Sequence, residues 1–234
     1  MFFVVVDGAD LRSLRCVLVS LFVPHPVRVH DIANVRAGAT TGKVAQLLRV
    51  TGHAGHATGS DAIIRGLARF AKDLGGSAIY GTTTFHEAQI DEWLAKALRF
   101  DVMLVVASCK STPAAPTTND AAVPGLQRLL DDLDSHLTHN TFLCGHRLTV
   151  ADVAWFASVH HAISPTLDAA STRWNRSDLK PGPAVKRWSR CLREYIVAVF
   201  RKRTAVASGD WEVVDHPVVK ACMAQIAEGG SWLE

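Results

Sequence analysis

The run LTVADVAWFASVHHAI, residues 148–163, constrains this chain more than any other stretch. It is apolar on nearly every side, so a helix built from it has no face to offer to water and belongs inside a bundle. The polar exceptions stand at its start. Thr149 and Asp152 have the spacing of a capping box, in which the Thr hydroxyl accepts from the N–H of Asp152 and the carboxylate reaches back to the N–H of Thr149. Leu148 and Val153 occupy the two positions of a hydrophobic staple, which fixes the angle at which the chain enters the helix. Donors at a buried helix start have no water to turn to, so capping accounts for Asp152 without an acid or base role.

The rest of the chain can build that bundle. Hydrophobic residues make up 48% of the 234, enough for a sizeable core. Short apolar runs and turns alternate at first: FFVVV (2–6), a helical LRSLRCVLVSLF (11–22), VRVHDI (27–32) behind Pro24 and Pro26, and VAQLLRV (44–50). SDAIIRGLARFAKDLG (60–75) follows, with Ile63, Ile64, Leu67, Phe70 and Leu74 at helical spacing, Ser60 as N-cap and Gly75 past the end. Beyond Gly81 the chain reads as helix over 85–106, 123–137, 149–163 and 184–200, with an exposed Pro- and Thr-rich loop at 108–122. The pattern predicts an α/β unit over 1–78, a helical bundle over 79–203, and a tail over 204–234 with a short helix at 217–227.

A net charge of +3 and a pI of about 8.7 do not announce a nucleic-acid protein. The five cysteines (16, 109, 144, 191 and 222) are odd in number, widely spaced and without a C-x-x-C pair, as expected of reduced, mostly buried thiols in a cytosolic protein. MFFVVVDGADLRS reads as a first strand and not as a signal peptide, and no apolar run reaches the length of a membrane span.

These segments resemble the glutathione transferase fold. GSDAIIRGLAR (59–69) is similar to the third helix of its thioredoxin-like half, EAQIDEWL (87–94) to the first helix of its second half, and TFLCGHRLTVADVAWFA (141–157) to its central buried helix. RWNRSDLKPGPAVKRW (173–188) is similar to the end of the transferase-like appendage of eukaryotic cytosolic glutamyl-tRNA synthetases. That resemblance implies a thioredoxin-like domain followed by an all-α transferase C-terminal-like domain. It also implies a non-catalytic module that docks a transferase-like domain of a synthetase cofactor or of another synthetase in a cytoplasmic multi-synthetase complex, with a catalytic domain beyond Glu234. Departures from the enzymes favour docking. The stretch TTGKVAQLLRV (40–50) lacks the Pro that precedes the third strand, and of the pair that holds the glutamyl end only Ser60 remains, within Gly59-Ser60. Ser13 and Cys16 stand near where an activating side chain would sit. Ser13 and Ser60 are thus the weak glutathione candidates; no cofactor, metal or catalytic residue is expected.

Other motifs carry less. HAGH (53–56) imitates a synthetase signature but lies in a Gly-rich turn, and His53 with His56 or His136 with His139 lacks Cys partners at zinc spacing. No phosphate loop or nucleophile elbow occurs. Basic residues gather late: Arg187, Arg190, Arg193, Arg201, Lys202 and Arg203, interleaved with Trp188 and Tyr195. Arg173, Arg176, Arg187, Arg190 and Arg193 are the expected partner-binding residues, with Trp188 buried and tRNA contact secondary. Two further readings stand beside the synthetase appendage: a catalytic glutathione transferase, and the transferase-like part of a translation elongation factor gamma subunit, which shares the adaptor role. The isolated module is also expected to be able to pair with itself.

Overall fold

The structure is a computed structural model that describes residues 2–6, 11–24, 27–31, 47–50, 56–73, 78–108, 119–163, 179–206 and 217–228. Strand β1 (Phe2–Val6) leads into helix α1 (Leu11–Ser20) and strand β2 (Val27–Asp31). Strands β3 (Leu47–Val50) and β4 (His56–Thr58) precede helix α2 (Ser60–Asp73). The sheet order is β2-β1-β3-β4. β1 runs parallel to β2, with Phe2 opposite Val27, and antiparallel to β3, with Phe2 opposite Val50; β3 and β4 are antiparallel. A parallel pair needs a crossover connection, which α1 supplies, and β1 is hydrogen-bonded on both edges, as a continuous apolar run suits. Part of the Gly- and His-rich stretch read as a turn is therefore strand, since His56 opens β4.

Among the described residues five helices follow: α3 (Thr84–Ser108), α4 (Asn119–His139), α5 (Val150–Ile163), α6 (Pro183–Val206) and α7 (Pro217–Glu228). α5 packs on α1, α2, α3 and α6, and thirteen of its fourteen residues are buried, His161 being the exception. α4 bridges α3 and α6, and α7 lies on α6 through buried Val219, Met223 and Ile226. That part of the tail is packed against the bundle and is not a free linker.

Helix ends depart from the sequence reading in instructive ways. α4 begins four residues before 123 and carries Pro124 within it, at the cost of the N–H that would reach the Asp120 carbonyl. α6 continues past Phe200 through Arg201, Lys202 and Arg203. Its start is capped from another helix: Gly182 accepts from Lys186 N, and the Asp134 carboxylate of α4 accepts from Val185 N at 2.8 Å. A Cβ at Gly182 would run into that carboxylate, so the cap requires glycine there. At α2 the first helical bond runs from Ile63 N to Gly59 O, and Gly59 has φ +89°. Gly59 thus takes the cap position and Ser60 is the first helical residue, correcting its reading as N-cap.

Candidate functional site

The start of α5 is a four-donor carboxylate. Asp152 Oδ2 accepts from Thr149 N at 2.9 Å and Thr149 Oγ1 at 2.7 Å, while Oδ1 accepts from Leu143 N at 2.9 Å and Trp188 Nε1 at 3.2 Å. The return arm of the capping box is present. The other arm differs, because the Thr149 hydroxyl donates to the carboxylate where the sequence reading had it accept from Asp152 N. Val150 N, a further orphan donor of the helix start, is met by Ile79 O at 2.8 Å. Burial pushes the Asp152 carboxyl up from its ordinary value, and the four donors pull the other way. Asp152 is fully buried and its lone pairs are taken up, so it holds a loop, a helix start and α6 together and faces no substrate space. Trp188 is buried, as read.

Open space lies elsewhere, in a cleft of about 570 Å³ between the start of α2 and the outer face of α3. One wall is Gly59, Ser60 and Asp61; the other is Leu98, Val102, Val105 and Val106. Those four apolar side chains of α3 are 43%, 55%, 51% and 42% exposed, spaced along one helical stripe. Asp101 also lines the cleft, and behind it lies Arg15 of α1, with no exposed surface. Arg15 Nη2 stands 2.5 Å from Asp101 Oδ2 and donates to Ser158 Oγ at 2.6 Å, and Nη1 is 3.5 Å from Asp61 Oδ1. One guanidinium therefore joins α1 to α2, α3 and α5. Arg65 and Arg69 strengthen the same junction: Arg65 Nε pairs with Asp91 at 2.9 Å, Tyr80 Oη donates to Asp91 at 2.6 Å, and Arg69 lies over the Tyr80 ring.

Of the residues singled out in the sequence, Ser60 lines this cleft. Ser13 lies in the first turn of α1, and Cys16 on the same helix is fully buried. Cys144 and Cys222 are buried as well, burial pushing their thiols up to about 12 and about 11, whereas Cys191 is exposed. Arg187 is exposed and its Nη2 donates to Leu137 O at 2.6 Å, capping the end of α4; Arg190 is exposed and Arg193 half-buried on the same helix. None of these three arginines lines the α2–α3 cleft. Arg173 and Arg176, Cys109, His53 and the stretch 40–46 lie outside the described residues. His136 is turned to the Leu143 carbonyl at 3.0 Å and packs on the Trp93 ring. Among the described residues no group of three or more His, Cys, Asp or Glu could hold a metal ion, and no helix is long and apolar enough to cross a membrane. Sequence reasoning missed Arg15, because Arg12 and Ser13 beside it in LRSLRCVLVS make it look like part of a solvated face.

This architecture is that of the glutathione transferases, with a helical C-terminal domain. A silkworm (Bombyx mori) diazinon-metabolizing glutathione S-transferase superposes with a TM-score of 0.65 at 14% identity, covering 97% of this chain and 99% of that one. Glutathione transferase F2 of Populus trichocarpa gives 0.64 at 17% identity, over 88% and 100%. The sequence profile of the glutathione S-transferase C-terminal domain matches residues 116–191. The sequence relatives are elongation factor 1-gamma chains. Elongation factor 1-gamma of Prunus avium is 32% identical over 98 residues, 40% of this chain and 22% of that protein. Elongation factor 1-gamma-A of Xenopus laevis is 31% identical over 90 residues, 34% of this chain and 19% of its own length. The matches thus span about a fifth of those relatives.

Proposed function

We propose that this chain is a transferase-like docking module of the translation machinery, of the kind carried by elongation factor 1-gamma. In this reading residues 1–78 form a thioredoxin-like domain, 79–203 a transferase C-terminal-like domain, and 204–234 a tail whose helix α7 packs back on α6. The module works in the cytoplasm without a cofactor or a reaction of its own, and it pairs with a transferase-like domain of another component of its assembly; tRNA contact is secondary. The likeness to elongation factor 1-gamma chains carries the translational part of the proposal.

The cleft supports the docking part. A stripe of four half-exposed apolar side chains on α3 costs solvation free energy until something covers it. Arg15, which lies behind Asp101 with no exposed surface, is already engaged by Asp101, Asp61 and Ser158, and Arg65, which lines the cleft, by Asp91. The reading as a glutamyl-tRNA synthetase appendage shares the docking mode and rests on the Arg-Trp segment, whose first part lies outside the described residues; the sequence relatives favour the elongation factor. The catalytic reading is tested by passing the purified chain over immobilised glutathione and assaying turnover of an aryl halide. The expected outcome is no retention and no turnover above the uncatalysed rate. Retention eluted by free glutathione, together with turnover lost in Ser60→Ala, would make the chain an enzyme.

A further inference from the structure

A second groove, of about 480 Å³, opens on another part of the surface, where Phe22 at the end of α1, the loop before α5 and the exposed face of α6 meet. Its walls are aromatic: Tyr195 is 49% exposed and stacks on Phe22 with ring centroids 6.0 Å apart, and Phe142 also lines the groove. Its rim carries a cation. Arg147 and, beside it, His146, both exposed, line it, and among the described residues no carboxylate does, in contrast to the α2–α3 cleft with its Asp61 and Asp101. Lys202, also exposed, lies on the same side of α6 as Cys191 and Tyr195, at i+11 and i+7. Glu194, also exposed, lies about 100° around the helix from Tyr195 and about 60° from Cys191, and does not line the groove. Space of this size suits a largely buried apolar group with a few polar contacts at its mouth.

We infer that this groove docks an acidic linear segment of a protein partner, its aromatic or leucine side chain between Tyr195, Phe22 and Phe142 and its carboxylates against Arg147, His146 and Lys202. The charge of the rim selects the occupant: a basic segment meets like charge, and an apolar one leaves Arg147 without a counter-ion. The site is independent of the α2–α3 cleft and of which assembly the chain serves.

Cys191 lines the groove and reports on it. The probe is a fluorescein-labelled peptide, Glu-Glu-Leu-Trp-Glu-Glu, with a Lys-Lys-Leu-Trp-Lys-Lys counterpart and an oligouridylate of six nucleotides as controls. Binding is read by anisotropy, and protection of Cys191 from N-ethylmaleimide by peptide mass spectrometry. The acidic peptide is expected to bind and to protect Cys191, with affinity falling about tenfold in Arg147→Glu and in Tyr195→Ala and largely kept in Arg147→Lys. All three variants are checked by circular dichroism for an unchanged fold. The inference is overturned by no binding at millimolar peptide, by equal affinity of the wild type and Arg147→Glu, by equal binding of the lysine peptide, or by stronger protection from oligouridylate.

Discussion

Asp152 shows how much structure one side chain can organise. Its two oxygens serve donors nine residues back, three residues back and 36 residues ahead. The near part was legible because a Thr-x-x-Asp spacing before an apolar helix has a local cause. The donors from Leu143 and Trp188 were not, because they arrive through tertiary packing. Asp152→Ala leaves buried donors unpaired, and we expect it to lower unfolding free energy by about 3–5 kcal/mol in urea titrations; a loss under about 1 kcal/mol would reduce it to an ordinary exposed cap. His160 offers a second test. It is 2% exposed, stacks on Phe156 at 5.7 Å, and its Nε2 has no hydrogen-bond partner among the described residues. Burial first, then His161 and Arg193, lower its pKa to about 4. The unfolded chain takes up this proton near pH 6.5 and the folded one only near 4, so the stabilisation is full above 6.5 and is lost as pH falls between them. From pH 7.5 to pH 5 this residue is expected to remove about 2 kcal/mol of stability. Parallel pH titrations of the wild type and His160→Leu, differing by that amount, check it; superimposable slopes would contradict it.

Helices were legible where periodicity and caps agreed, and less so where a partner decides. α3 was read to within two residues of its ends, and Thr83 caps it as a side chain should, accepting from His86 N. The start of α6 depends on Asp134 from α4, and β4 emerges from a stretch rich in turn residues because β3 offers it an edge. The joint between α1 and the bundle was invisible for a similar reason: an Arg in an amphipathic segment reads as a solvated charge until its partners, far away in sequence, are known. Arg15→Met strands Asp101 and Asp61 without that cation. We expect a loss of about 3–5 kcal/mol, with Arg15→Met/Asp101→Asn more stable than Arg15→Met alone. Thermal and urea denaturation of the three proteins measure this, and a double variant no better than the single one would mean that the guanidinium acts by packing and not by charge.

At the scale of the whole chain, the nearly all-apolar helix and its cap marked the buried centre of a helical bundle, and the glutathione transferase fold was readable through the resemblance of several segments, 59–69, 87–94 and 141–157, taken together. The use of the fold was less readable. Exposed valines on α3 look like any helical residues in a sequence, and that they line open space appears only when α2 stands opposite them and a cleft lies between. The central claim is that this cleft serves a protein partner in translation. The measurement that reaches it most directly is the composition of the native complex isolated through a tag on the full-length chain, wild type against Val105→Lys. Quantitative mass spectrometry is expected to find the other components of elongation factor 1 in fixed proportion with the wild type, and that proportion reduced about tenfold or more in the variant. Elongation factor components retained equally by Val105→Lys, or absent from both while synthetases co-purify, would contradict the account.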